Sequence, residues 1–175
     1  MNIFAIEGNN ENIDWVASAK SQDNYRVVKM ILESCQMLCT NLNYLYKEQV
    51  TPYRSVMLNH PCTIWARESS ANFRALLDHT AALIEEYEER FSGKTHKCKE
   101  VYSICKELFE KSIILFPKQE PTPIAMAMPD CFKSDNVVES YRKYYASKPR
   151  MRYPKDKVPD WFVKYRGDKE YQIIS

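Results

Sequence analysis

The chain has 175 residues, 45% of them hydrophobic and 27% charged, which is the length and composition of one ordinary globular domain with a real core. Its formal net charge of +2 does not by itself announce a nucleic-acid protein, and only three glycines argue against a glycine-rich phosphate loop or a turn-rich sandwich. There is no apolar run of the roughly 18 residues a membrane span needs, and the opening MNIFAIEGNNENIDW has neither the basic start nor the long apolar stretch of a signal peptide.

In chain order, MNIFAI reads as a short buried strand or an extended edge. The first strong helix is predicted over 24–46, with Val28, Ile31, Leu32, Cys35, Cys39 and Leu42 on one face at 3.6-residue spacing. His60-Pro61 suits the first turn of a short helix. Ser69 or Ser70 is placed to cap a long helix to about Phe91, ended by Ser92-Gly93, and Thr95 to cap the next one, to about Phe116. The stretch PKQEPTPIAMAMPD, with four prolines, reads as a long ordered loop or a lid. Asp135 is placed to cap a helix through Ala146, and the tail adds one turn at DWFVKY. The expectation is a mainly α, single-domain helical bundle spanning 1–175, with neither repeats nor an internal linker.

The six cysteines (Cys35, Cys39, Cys62, Cys98, Cys105 and Cys131) include no pair at the two-residue gap of a zinc knuckle or redox motif. They read as reduced thiols in a cytoplasm. His60 and Cys62, with His96 and Cys98, offer zinc-type ligands at an uncommon spacing, so no metal site is assigned.

Three polar constellations stand out. Arg26, Lys29, Glu33 and Gln36 form one stripe of the first helix, either a nucleophile–base or phosphate-clamp set or simply its solvated face. Asn72, His79, Glu86 and Arg90 flank the apolar face of the long helix, where they serve either a half-buried site or interhelical packing. Lys94, His96 and Lys97 follow the helix break, either as an anion site at the next helix N-terminus or as a basic turn.

Between Glu139 and Lys169, ten basic residues outnumber four acidic ones, and seven aromatics are interleaved. Cations for phosphates and rings for bases are the usual means of holding nucleic acid. Tyr141, Arg142, Tyr145, Arg150, Arg152 and Trp161 are the candidate DNA contacts. The alternative is a charged tail whose aromatics dock on the core.

The series VVKMILESCQMLCT, NHPCTIWARESSANF, RFSGKTHK, PIAMAMPDCFK and VVESYRKYYASK, followed by VPDWF, covers nearly the whole chain. It resembles a family of small, mostly helical bacteriophage proteins that are DNA glycosylase-like and similar to the amino acid:DNA transferases of thymidine hypermodification. Those enzymes displace pyrophosphate from an activated 5-hydroxymethyluracil base in DNA. Tyr25-Arg26 departs from the Lys-His expected in related sequences and removes a histidine from that position.

The resemblance implies a DNA glycosylase-like helical fold, double-stranded phage DNA as partner in the host cytoplasm, an amino-acid co-substrate and no redox cofactor. Reaching the base requires flipping it from the duplex. Lys94, Lys97, Arg67 and Arg90 are then candidates to meet pyrophosphate, and Asn72 to contact substrate. Glu33 or His96 would act as general base, and Arg26 or Lys29 would hold the amino-acid carboxylate. A pyrimidine-specific glycosylase would instead use Lys29 as amine nucleophile or Asp130 to position water. A third possibility is a protein that binds nucleic acid or a nucleotide signal without turnover.

Overall fold

The computed structural model describes residues 1–174 and is mainly α. Its helices are α1 (Trp15–Lys20), α2 (Asn24–Tyr46), α3 (Pro61–Glu68), α4 (Ser70–Arg90), α5 (Lys99–Ser112), α6 (Val137–Ala146) and α7 (Asp160–Arg166). Two short parallel strands, β1 (Arg152–Pro154) and β2 (Gln172–Ile174), form the one sheet among the described residues. No helix among them is long and apolar enough to cross a membrane.

The two longest helices start where a short polar side chain meets the free amides of a first turn. Asp23 accepts from the Tyr25 amide at α2, and Ser69 accepts from the Asn72 amide at α4. At α6 the cap is Asn136, not Asp135, because Asn136 Oδ1 is the atom that meets the Glu139 amide. Thr95 does not cap α5. Residues 96–99 make a turn in which His96 Nδ1 accepts from the Cys98 amide, which delays the helix to Lys99. Beyond α4, Ser92 (φ 59°) and Gly93 (φ 74°) adopt the left-handed backbone that ends the helix.

α2 lies in the centre, against α3, α4, α5 and β1, while α1 rests on α4 and α6 on α7. Contact on so many sides widens its buried face beyond a single stripe. Val27, Met30, Ile31, Cys35, Leu38 and Leu42 are buried, whereas Val28 and Leu32, expected inward, sit at the solvent edge. Phe73, Phe109 and Phe116 stack into a cluster where α4 meets α5 and the following loop.

MNIFAI is extended but pairs with no strand. Ile3, Phe4, Ala5 and Ile6 are buried, and side chains satisfy much of their backbone. Ser18 Oγ accepts from the Ile6 and Glu7 amides, and Arg142 Nε donates to the Ile6 carbonyl. The proline-rich stretch is an ordered strap. Lys118 and Gln119 carbonyls accept from the Ser70 and Ala71 amides, so the strap closes over the N-terminus of α4.

Candidate functional site

The strap, α3, α4 and the loop before α1 line a half-open cavity of about 480 Å³, within the range of small-molecule sites. Trp15 and Trp65 form one wall, their ring centroids 5.4 Å apart at a 39° tilt. Ala71, Ala75 and Ile124 add apolar surface, and Asn12 stands at the mouth with its side chain exposed. The half-buried Trp15 face, with the exposed Asn12 amide at the mouth, suits a flat heterocycle with polar edges.

Asn72 organises this wall. Its Nδ2 donates to the Trp65 carbonyl at 2.8 Å and to Thr122 Oγ1 at 2.6 Å, while its Oδ1 accepts from the Thr122 amide at 3.0 Å. Trp65 Nε1 donates to the Thr122 carbonyl at 3.1 Å. With these bonds made, Asn72 clasps the strap to the α3–α4 junction instead of offering its amide to a ligand. His79 lies behind Trp15, fully buried, with its ring edge-on to the indole. Its Nδ1 donates to the Trp15 carbonyl at 2.8 Å, which leaves Nε2 to accept from Gln22 Nε2 at 3.2 Å. Burial, only partly opposed by the Trp15 bond, pushes the imidazole pKa down to about 4, so His79 is a neutral prop for the tryptophan wall.

The structure disperses most of the other candidates. Lys29 is exposed and pairs with Glu33, which also meets the N-terminal ammonium at 3.4 Å. Asp130 is exposed and paired with Lys133. His96 packs edge-on to Tyr87 and caps the Cys98 amide. None of Lys29, Glu33, His96 and Asp130 lines the tryptophan cavity. Arg67 donates to the Leu58 carbonyl and lies over Tyr44. Arg90 is an interior residue and not an open anion site: its guanidinium is consumed by Glu86, Asn24 and the carbonyls of Lys20 and Gln22.

The C-terminal candidates divide between core and surface. Tyr141 and Tyr145 are fully buried, their hydroxyls donating to the Ala125 carbonyl and Asp23, so neither ring is free to stack on a base. Arg142 donates to the Ile6 carbonyl and pairs with Glu7, while Trp161 donates to the same carboxylate. Arg152 is exposed, and its amide reaches Asp23. Arg150 opens onto a second cleft of about 600 Å³, shared with Tyr25, Lys169 and Gln172. Arg26 does not line it; its guanidinium donates to the carbonyls of Pro149 and Arg150. Asp168 and Glu170 also line it, so its charge is balanced.

Sequence reasoning passed over Trp15 and its short helix, and the carboxylates Asp23 and Glu7. Glu7 is half-buried and gathers Ser21, Trp161 and Arg142 within 2.6–2.9 Å. The signal available for Trp15 was the preceding Asp14, which caps α1. No protein-family model, curated protein or solved structure matches the chain.

Lys94 and Lys97 remain exposed in the turn before α5. Replacing both by alanine is expected to change stability by less than about 0.5 kcal/mol per site. If they meet DNA phosphates, the slope of log affinity against log salt becomes shallower by about two. An unchanged slope in a fluorescence-anisotropy titration would remove them from the DNA contact surface.

Proposed function

We propose that this protein processes pyrimidine bases of double-stranded phage DNA in the host cytoplasm. It transfers an amino acid or similar nucleophile onto an activated, pyrophosphorylated 5-hydroxymethyluracil during thymidine hypermodification. The observation that carries the reading is the cavity walled by Trp15 and Trp65, which offers an aromatic face and the exposed Asn12 amide to a base turned out of the duplex. The sequence resemblance supplies the reaction type. In the transfer, the nucleophile forms a bond to the 5-methylene carbon as pyrophosphate leaves with the bonding pair. The incoming amine loses its proton to a base.

The cavity contributes stacking and shape; its one charged lining residue is Glu11, so it supplies no cation to the leaving pyrophosphate. Exposed Arg150, Arg152, Lys94 and Lys97 are free of buried structural bonds through their charged groups and suit phosphate contact.

The test is mass spectrometry of nucleosides from phage DNA made with and without the gene. Loss of a modified thymidine with accumulation of its precursor is expected. Complementation with Trp15→Ala is expected to reduce the product roughly 5- to 150-fold, because base–aromatic stacking contributes about 1–3 kcal/mol. Abasic sites in DNA treated with the purified protein would replace the transferase by a glycosylase. An identical nucleoside profile with tight DNA binding would replace both by a protein that binds without chemistry.

A further inference from the structure

The seam between α2 and α5 carries four of the six cysteines. α2 presents Cys35 and Cys39 one turn apart, and the α5 side presents Cys98 and Cys105. Cys39 Sγ and Cys105 Sγ touch at 3.5 Å although 66 residues separate them in the chain. Cys35 Sγ points at the Cys98 carbonyl at 3.7 Å, and the Cys98 thiol lies 3.4 Å from the Tyr53 hydroxyl. Among the described residues no three His, Cys, Asp or Glu side chains converge as a metal site, and the thiols read as two successive rungs between the helices.

Each rung pairs unlike thiols. Hydrogen bonding from Cys35, then from Tyr53 and His96, brings Cys98 down to about 6 against the opposing effect of burial, while Cys35 is pushed up by its bond to Cys98 and by burial. Cys39 is lowered to about 7, chiefly by Cys105, which is itself raised. Two neighbouring thiols, one of them acidified by its partner, are the arrangement in which one sulfur attacks an oxidant and the other resolves the product. The Cys98 rung is the nearer to solvent, because Tyr53 and His96 beside it are half-buried, whereas Cys39 and Cys105 are wholly enclosed and meet peroxide only when the α2–α5 seam opens locally.

We propose that Cys98 with Cys35, and Cys39 with Cys105, are two dithiol–disulfide pairs that cross-link α2 to α5 when hydrogen peroxide oxidises them. In each pair the thiolate attacks one peroxide oxygen, the O–O bond breaks, and hydroxide leaves. The sulfenic acid so formed is attacked by the partner sulfur. An S–S bond forms, the S–O bond breaks, and the departing hydroxide takes up the partner's proton as water. Two thiols are oxidised and one peroxide is reduced to two waters per pair. For Cys39 and Cys105 the sulfurs close from 3.5 Å to a bond of about 2.05 Å.

The experiment uses the full chain with exposed Cys131 replaced, Cys131→Ser, to prevent links between molecules. After peroxide, the protein is denatured, alkylated without reductant and weighed intact. Alkylated thiols are expected to fall from five to one, leaving Cys62. Non-reducing digestion should join the 30–47 peptide to those carrying Cys98 and Cys105. Cys98→Ser should retain the Cys39–Cys105 link alone. The thermal unfolding midpoint should rise on oxidation and return with dithiothreitol. Five alkylated thiols after peroxide, sulfinic acid at Cys98 without any link, or links to Cys62 would each overturn the proposal.

Discussion

Arg90→Met is expected to destabilise the protein by about 3–5 kcal/mol, because it leaves buried groups without their partner. The Arg90 and Glu86 side chains are only 2% and 3% exposed and meet at 2.8 Å. The same guanidinium donates to the Gln22 carbonyl at 2.6 Å, the Lys20 carbonyl at 2.8 Å and Asn24 Oδ1 at 3.2 Å. One planar fork thus ties the end of α1 and the start of α2 to the last turn of α4. Methionine fills similar volume but supplies none of these donors. Lysine brings the charge without the fork, so Arg90→Lys should recover only part of the loss. Lys157, bonded to both Glu86 oxygens at 3.0 Å, keeps the carboxylate from being wholly unpaired in the variant. Urea unfolding followed by circular dichroism gives the measurement. A loss below about 1 kcal/mol, accompanied by weaker pyrophosphate binding, would return Arg90 to the role of anion contact.

The second large effect is acid sensitivity centred on His79. Its pKa is depressed to about 4 in the fold against 6.5 as the ordinary value. The unfolded chain therefore binds the proton more readily. The stabilising contribution is complete above about pH 6.5 and is lost as pH falls toward 4, by roughly 3 kcal/mol in all. Many carboxylates titrate in the lower part of that window, so the diagnostic interval is pH 6.5 to 5. There, wild-type stability should fall with acidity while His79→Gln, less stable at pH 7, shows a flatter profile. Coinciding slopes would mean that His79 is protonated inside the fold. Protonation would also require Nε2, now accepting from Gln22, to become a donor. The Gln22 carbonyl oxygen, buried without a partner, is the group that an amide flip would bring to it.

The long helices were legible because their signals are local. For α2, the apolar periodicity marks the element that the structure bounds at Asn24–Tyr46. α1 escaped notice because six residues hold too little periodicity. β1 and β2 escaped because three-residue strands separated by a helix have no pattern of their own. The candidate site was legible only in part. Asn72 was placed near the cavity by its helical position, but its work is spent on Trp65 and Thr122, partners that only the fold brings to it. Tyr141 and Tyr145 show the opposite limit. A basic, aromatic composition has the same appearance whether its rings face a nucleic acid or, as here, the interior. The cysteine rungs lay beyond sequence spacing because their partners are 63 and 66 residues apart in the chain.

The route of the first seven residues bears on how the chain is made. Ile6 and Glu7 wait for Arg142, and Glu7 waits for Trp161, contacts spanning 135 to 154 positions. At ribosomal rates of about 5–20 residues per second, that is several seconds or more during which Ile3, Phe4 and Ile6 lack their final cover. α2 through α5 can assemble among themselves during that interval. The opening segment can only settle after α6 and α7 emerge, which makes it the natural hold for a chaperone on the nascent chain.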